Sequence, residues 1–224
     1  MKYKPYNLQD VYNASSQKKF DVISTFAGGG GSSTGYKLAG GNILAVNEFV
    51  EEARTTYNQN YPETPILPDD IKKLSGHEFL DITGIKSGEL DILDGSPPCS
   101  AFSMAGNLSH GKGNSHKDAF GKTKGYSDIK EVTNVEDLFF EFLRVADVIK
   151  PKVIIAENVA GLTMGEAKQY FNKIQNTFED IGYDVCAKVL NSGHFGVPQT
   201  RNRVFFIGIR AVSYTHLRAH ETRG

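Results

Sequence analysis

Short apolar runs of strand length recur along this chain, each followed by a stretch of helical spacing, and that alternation leaves few folds open. Residues 20–26 read as a buried strand, turned by Ala27-Gly-Gly-Gly-Gly-Ser-Ser33 into a helix reaching about Leu38. Residues 42–47 form a second strand ending at Glu48, and a helix from Phe49 to Tyr57 stops before Pro62. This is a βαβ unit of ordinary length. Residues 90–94 and 153–156 repeat the pattern, and a helix of about 166–181 is followed by strands at 183–190 and 203–209. Such alternation predicts one α/β domain over residues 1–210 with a doubly wound, mainly parallel sheet. In sheets of that kind ligands bind beyond the carboxyl ends of the strands. Glu48, Cys99 and Glu157 are all expected there.

The remaining stretches carry weaker signals. Leu8, Val11 and Tyr12 hint at a short helix within residues 1–19, and a Pro62 to Pro68 turn leads to Asp69-Asp70-Ile71 and a helical stretch around His77 to Leu80. Residues 104–131 are rich in Gly, Ser, Lys and His and read as a long loop. Thr133-Asn-Val-Glu136 matches a capping box, and Leu138, Phe139, Phe142, Leu143, Ala146 and Ile149 follow at helical spacing as a core face ended by Pro151. No apolar run approaches the roughly 18 residues of a membrane span, so a cytoplasmic protein with no membrane partner is expected. With 25 basic and 26 acidic residues, any nucleic-acid surface has to be local. Cys99 and Cys186 can form no disulfide framework and lack zinc-site spacing, so no metal is expected.

Two features carry chemistry. Pro97 and Pro98 fix the backbone and stop the strand just before Cys99, which suits an aimed thiol as well as a structural one. A thiol attacks only as thiolate, so a catalytic cysteine needs a group to activate or orient it. The glycine turn lets backbone approach a ligand, and Glu48, twenty residues past Gly28, is placed to accept hydrogen bonds from ribose hydroxyls. Ser33 occupies the third glycine position of the dinucleotide fingerprint, so the turn alone also fits a packing role.

Phe26-Ala-Gly-Gly-Gly, Asn47-Glu48, Pro97-Pro98-Cys99-Ser100, Glu157-Asn158-Val159 and Gln199-Thr-Arg201-Asn-Arg203 stand in one order. Together they resemble the cytosine-C5 DNA methyltransferases over roughly residues 20–210. The resemblance implies a Rossmann-like S-adenosylmethionine-dependent sheet acting on a cytosine flipped out of DNA. It places Phe26, Gly28 and Gly30 along the cofactor, Glu48 at the ribose, and Asp70 with Ile71 beside the adenine. Cys99 becomes the nucleophile and Glu157 the group at N3 of the base, with Arg201 and Arg203 in the surrounding polar network. Pro98, Ser100, Asn158 and Gln199 fall on the substrate side.

The chemistry explains these residue types. C5 of cytosine is a poor nucleophile until a thiolate adds at C6 and makes the ring enamine-like. Addition puts electron density on N3, which a protonated Glu157 would stabilise, so its pKa is expected to be raised by burial. Arg201 and Arg203 alternate around Asn202 and would share one strand face, orienting Glu157. Lys112, Lys117, Lys122 and Lys124 in the loop after Cys99 suit phosphate contact without sequence readout.

The family continues past the Gln-x-Arg-x-Arg block into a target-recognition region that these residues do not carry, and residues 211–224 are set aside as a tail outside the pattern. The expectation is weak or absent activity for the chain alone; a split, non-catalytic half that needs a second polypeptide carrying the recognition region is an alternative. An RNA (tRNA) cytosine methyltransferase uses the same base chemistry and stays open at this point. A nicotinamide enzyme would explain the βαβ unit but not Pro-Pro-Cys or Glu-Asn-Val.

Overall fold

A computed structural model describes residues 5–98, 138–165 and 167–211. Cys99, Ser100, the 104–131 stretch, the capping box at 133–136 and the tail beyond Ala211 lie outside the described residues.

Helix α1 (Leu8–Ser15) opens with a capping box that the sequence reading passed over: Asn7 accepts from the Asp10 N–H at 3.0 Å, and Asp10 accepts from the Asn7 N–H at 2.9 Å. Strand β1 (Phe20–Thr25), helix α2 (Gly31–Leu38), strand β2 (Gly41–Asn47) and helix α3 (Glu51–Asn60) form the expected βαβ unit. A two-residue strand β3 (Ile66–Leu67) follows, then a 3-10 turn (Ile71–Lys73), helix α4 (Gly76–Thr83) and strand β4 (Ile92–Gly95). The remaining α-helices and strands are α5 (Leu138–Ile149), β5 (Val153–Val159), α6 (Ala167–Asp180), β6 (Tyr183–Asn191) and β7 (Asn202–Arg210), with 3-10 turns at Ala160–Thr163 and Ser192–Phe195.

The seven strands make one sheet in the order β3-β2-β1-β4-β5-β7-β6. Pairs β2/β3, β1/β2, β1/β4 and β4/β5 are parallel, whereas β7 runs antiparallel to both β5 and β6. The mainly parallel sheet therefore ends in an antiparallel edge. This changes one expectation about the site. The strand at 153–156 continues to Val159 because Glu157, Asn158 and Val159 pair with Phe205, Val204 and Arg203, so Glu157 lies inside β5 and not beyond its end.

Strand alternation divides the core between the two sheet faces. Ile23, Leu93, Ile154 and Phe206 pack on one side with Phe139 and Phe142 of α5 and Ile174 and Phe178 of α6. Val22, Ile43 and Val46 pack on the other with Val11, Tyr57 and Tyr61. Gly95 is demanded by the first layer, since a Cβ there would fall 2.6 Å from the Phe142 ring and 2.7 Å from Thr25 Oγ1. The chain leaves β1 toward β2 on one side and returns through β4 on the other. The switch point of the sheet therefore lies between β1 and β4. Among the described residues no helix is long and apolar enough to cross a membrane.

Candidate active site

The turn after β1 is built on unusual backbone. Phe26 holds φ at 53°, a left-handed conformation that costs an aromatic residue energy, and Gly28 follows at 56° where no Cβ penalty applies. The carboxylate of Glu48, just past β2, fixes this turn from the next strand. Its Oε2 accepts the Gly28 N–H at 2.8 Å, its Oε1 accepts the Val50 N–H at 2.8 Å, and the residue is buried. Each oxygen retains a further lone pair for a ligand hydroxyl.

A cavity of about 280 Å³ opens at this point, with Phe26, Gly28, Glu48, Asp70 and Ile71 in its wall. It is close to the smallest pockets that hold small molecules. Asp70 shapes one side by accepting the Lys72 N–H at 3.0 Å and starting the 3-10 turn that presents Ile71. Phe49, Val50, Ala53 and Leu138 add an apolar part of the lining that sequence reasoning did not single out. Phe49 is 46% exposed, a cost that its place beside Glu48 at the cavity edge explains and that the residue order alone could have flagged. Gly30, also expected along the cofactor, packs behind the turn. It is not in the cavity wall: its left-handed backbone caps α2, and a Cβ there would meet Tyr61 at 3.0 Å and Tyr57 at 3.2 Å.

Ser96 and Pro98 close the cavity on the β4 side, so its wall reaches the residue before Cys99. Asn158 supports that loop from β5, its Nδ2 donating to the Pro97 carbonyl at 3.1 Å while its Oδ1 accepts the Val159 N–H at 2.8 Å. Asn158 is 4% exposed, so its described partners are the loop backbone and its own strand. Cys99 and Ser100 themselves lie outside the described residues.

Glu157 and Arg203 form a third group. Arg203 Nε lies 2.7 Å from Glu157 Oε1 across the β5/β7 pair, with both side chains partly shielded from solvent. Burial pushes the Glu157 carboxyl above its ordinary value, the nearby charges of Arg203 and Arg201 pull it down, and the charge of Asp94 pushes it up again. Arg201 precedes β7, and its carbonyl accepts the Ser192 N–H at 3.0 Å. Gln199 is exposed, and its backbone is tied to Val197 and Ser192.

The sequence passed over Asp94, which reads as one more residue of a buried strand. It is a buried carboxylate whose Oδ2 accepts from Ser24 Oγ at 2.8 Å and Ser32 Oγ at 2.7 Å and whose Oδ1 accepts from Tyr36 at 3.0 Å. Among the described residues no group of three or more His, Cys, Asp or Glu side chains could hold a metal ion.

Comparison with known proteins places these features in a family. The model of the C-5 cytosine-specific DNA methylases matches residues 20–222. The type II methyltransferase M.NgoPII of Neisseria gonorrhoeae is 32% identical over 189 residues, which cover 84% of this chain and 48% of that protein. M.DdeI of Desulfomicrobium norvegicum is 34% identical over 194 residues, covering 85% of this chain and 41% of its own length. The chain thus spans about half the length of the curated relatives it matches. Among solved structures, an E. coli prophage protein described as a DNA modification methyltransferase superposes with a TM-score of 0.68 at 23% identity, over 88% of this chain and 48% of that one. The S. pombe Dnmt2 methyltransferase gives 0.59 at 19% identity, over 86% and 51%. At these identities the structural likeness speaks to the fold.

Proposed function

Because this chain belongs to the C-5 cytosine-specific DNA methylase family, we propose that it carries the methyl-donor and nucleophile sites of a DNA cytosine-C5 methyltransferase that uses S-adenosylmethionine. The observation that supports this most is the cavity shared by the Gly28 turn, Glu48, the Asp70–Ile71 turn and Pro98. A carboxylate, a partly exposed glycine and an apolar side fit a nucleoside-bearing cofactor. Glu48 would hold its ribose hydroxyls, Phe26 and Gly28 its amino-acid side, and Ile71 with Phe49 its adenine. When bound, the cofactor supplies an electrophilic methyl group.

The chain's own residues would act on the base. The Cys99 thiolate adds to C6 of a cytosine taken out of the duplex, at an unstacking cost of a few kcal/mol. Glu157, protonated in its half-buried site, donates to N3 and takes up the density that addition places there. Arg203 holds the Glu157 carboxyl in one orientation, and Arg201 adds positive charge beside it. Asn158 holds Pro97, two residues before the nucleophile, against β5. C5, made nucleophilic by the addition at C6, would take the methyl group and leave the cofactor as the thioether; loss of the C5 proton to a base would then let the Cys99 thiolate depart from C6.

Choice of DNA sequence is proposed to come from a target-recognition region acting together with these residues, and activity of the 224 residues alone to be weak. Calorimetric titration with S-adenosylmethionine and NAD tests the cofactor assignment directly. The methyl donor should bind and NAD should not; the reverse result overturns the reading. Tritiated methyl transfer to duplex DNA and to tRNA then tests the acceptor, and label on tRNA alone would assign an RNA substrate.

A further inference from the structure

The part of the cavity wall made by Asp70, Ile71 and Lys72 belongs to the 3-10 turn Ile71–Lys73, which is too short to hold its own place in the molecule. Its internal bonds are few: the Asp70 carboxylate accepts the Lys72 N–H at 3.0 Å, the Asp70 carbonyl the Lys73 N–H at 2.8 Å, and the Ile71 carbonyl the Leu74 N–H at 3.2 Å. The turn follows the two-residue strand β3, so little regular structure supports it from that side. Its position has to be set from outside.

Two side chains hold it by backbone carbonyls, one before the turn and one across its end. The buried amide of Asn47, at the end of β2, donates to the carbonyls of Leu67 at 2.9 Å and Asp69 at 2.8 Å. On the other side, Nη2 of Arg144 on α5 donates to the carbonyls of Ile71 at 3.0 Å and Leu74 at 2.7 Å. Nε of Arg144 lies 2.7 Å from Oε2 of Glu141, one turn earlier in the same helix, which fixes the plane of the guanidinium. An arginine presents these donors in one rigid plane, which the ammonium of a lysine on its flexible stem does not. Gly76 shows how closely this segment is docked, since a Cβ there would fall 2.5 Å from Cβ of Val148 and 2.9 Å from the Val145 carbonyl of α5. The first residue of α5, Leu138, lines the cavity itself. One helix therefore supplies a piece of the wall and the clamp on the neighbouring piece.

We propose that Arg144 is a positioning residue for the cofactor: by holding the carbonyls of Ile71 and Leu74 it keeps Asp70 and Ile71 where the adenine is to lie. Arg144 is not in the cavity wall, so it acts on the ligand only through the backbone of that turn. The inference rests on the assignment of the cavity to S-adenosylmethionine given above and adds a residue to it. Without the guanidinium the turn is held from the Asn47 side alone, and the cofactor has to order the rest as it binds, at a cost in affinity. The Glu48 bonds to the glycine turn do not involve α5 and stay as they are.

The test combines calorimetric titration with S-adenosylhomocysteine and amide hydrogen exchange of the peptide covering residues 68–76, in wild type, Arg144→Met and Arg144→Lys. Methionine keeps much of the apolar stem and no donor; lysine keeps the charge and reaches fewer acceptors. Binding should weaken by about tenfold in R144M and by less in R144K. Exchange in residues 68–76 should speed up in R144M while that of β4 and β5 stays at the wild-type rate, and S-adenosylhomocysteine should slow it in wild type. Faster exchange confined to the turn is the mark of a lost clamp, whereas a general loss of stability would reach the sheet as well. Affinity in R144M within about twofold of wild type overturns the proposal, and so does faster exchange spread through the sheet. If R144M does not fold, R144K carries both readouts, and unchanged affinity there overturns the proposal equally. A wild type that binds no S-adenosylhomocysteine overturns the cofactor assignment and this inference with it; binding by wild type that R144M does not weaken overturns the inference alone.

Discussion

Arg203 reaches across the antiparallel edge of the sheet to set its Nε 2.7 Å from Oε1 of Glu157. The contact exists because β7 enters the sheet antiparallel to β5, which brings Arg203 opposite Val159 and its side chain back over Glu157. Removing it leaves a carboxyl that burial already drives toward the protonated form with one fewer charge to orient it. Arg203→Ala should slow adduct formation on 5-fluorocytosine DNA by on the order of 10- to 100-fold, with Arg203→Lys between the two because an ammonium keeps the charge but not the planar fork. Affinity for S-adenosylmethionine should stay within about twofold. Loss of cofactor binding with unchanged trapping would put Arg203 in another role.

Glu48 joins the glycine turn to the second strand through two backbone N–H groups at 2.8 Å. Glu48→Ala leaves both donors unpaired and removes the proposed ribose acceptor. Since hydrogen bonds to a charged group contribute about 1.5–3 kcal/mol, cofactor affinity should fall by at least about tenfold. Glu48→Gln keeps one acceptor and should lose less. Calorimetry reads both, and unchanged affinity in the alanine variant would remove Glu48 from the cofactor site.

Asn158 is buried with its amide on the Pro97 carbonyl. Asn158→Asp has nearly the same size but cannot donate that bond, so the loop before Cys99 loses its tie to β5. Trapping should slow by about tenfold with cofactor affinity retained, and the melting temperature should drop by several degrees. A slower reaction caused by weaker cofactor binding would contradict the assignment.

Stability should carry the signature of Glu157. Its carboxyl lies above the ordinary value in the folded protein, so the folded state holds that proton more tightly than the unfolded state does. The resulting stabilisation is complete below the unfolded value of about 4.3 and is lost as pH rises through the folded value. Urea midpoints across that range should therefore show wild type losing stability relative to Glu157→Gln as pH rises. The opposite slope would mean that Arg203 outweighs burial.

Much of this architecture could be read from residue order, because buried strands in parallel sheets are short apolar runs and their glycine and proline breaks mark the ends. Residues 20–25, 41–47 and 92–95 pair as strands close to the expected positions. Strand direction was harder: the antiparallel entry of β7 depends on which edge pairs with which, and with it the extension of β5 through Glu157 to Val159. Strand β3 is two residues inside a proline-rich turn, too short for any periodicity. In the site, Glu48 and the Gly28 turn were legible from their spacing. Asp94 was not, since its partners Ser24, Ser32 and Tyr36 lie 58–70 residues away in the chain and meet it only once the strands pair. Gly30 could not be told from Gly28 until Tyr57 and Tyr61 were seen packing against it.

Intact-mass analysis of this chain incubated with S-adenosylmethionine and a duplex containing 5-fluorocytosine tests the central claim most directly, because the fluorine blocks the final loss from C5 and a single slow addition is enough to register. The account predicts a species heavier by one DNA strand and one methyl group, with the peptide containing Cys99 as the attachment point, and its complete absence in Cys99→Ala. A protein that binds the cofactor yet forms no adduct, or an adduct that persists in Cys99→Ala and maps to Cys186, would contradict it.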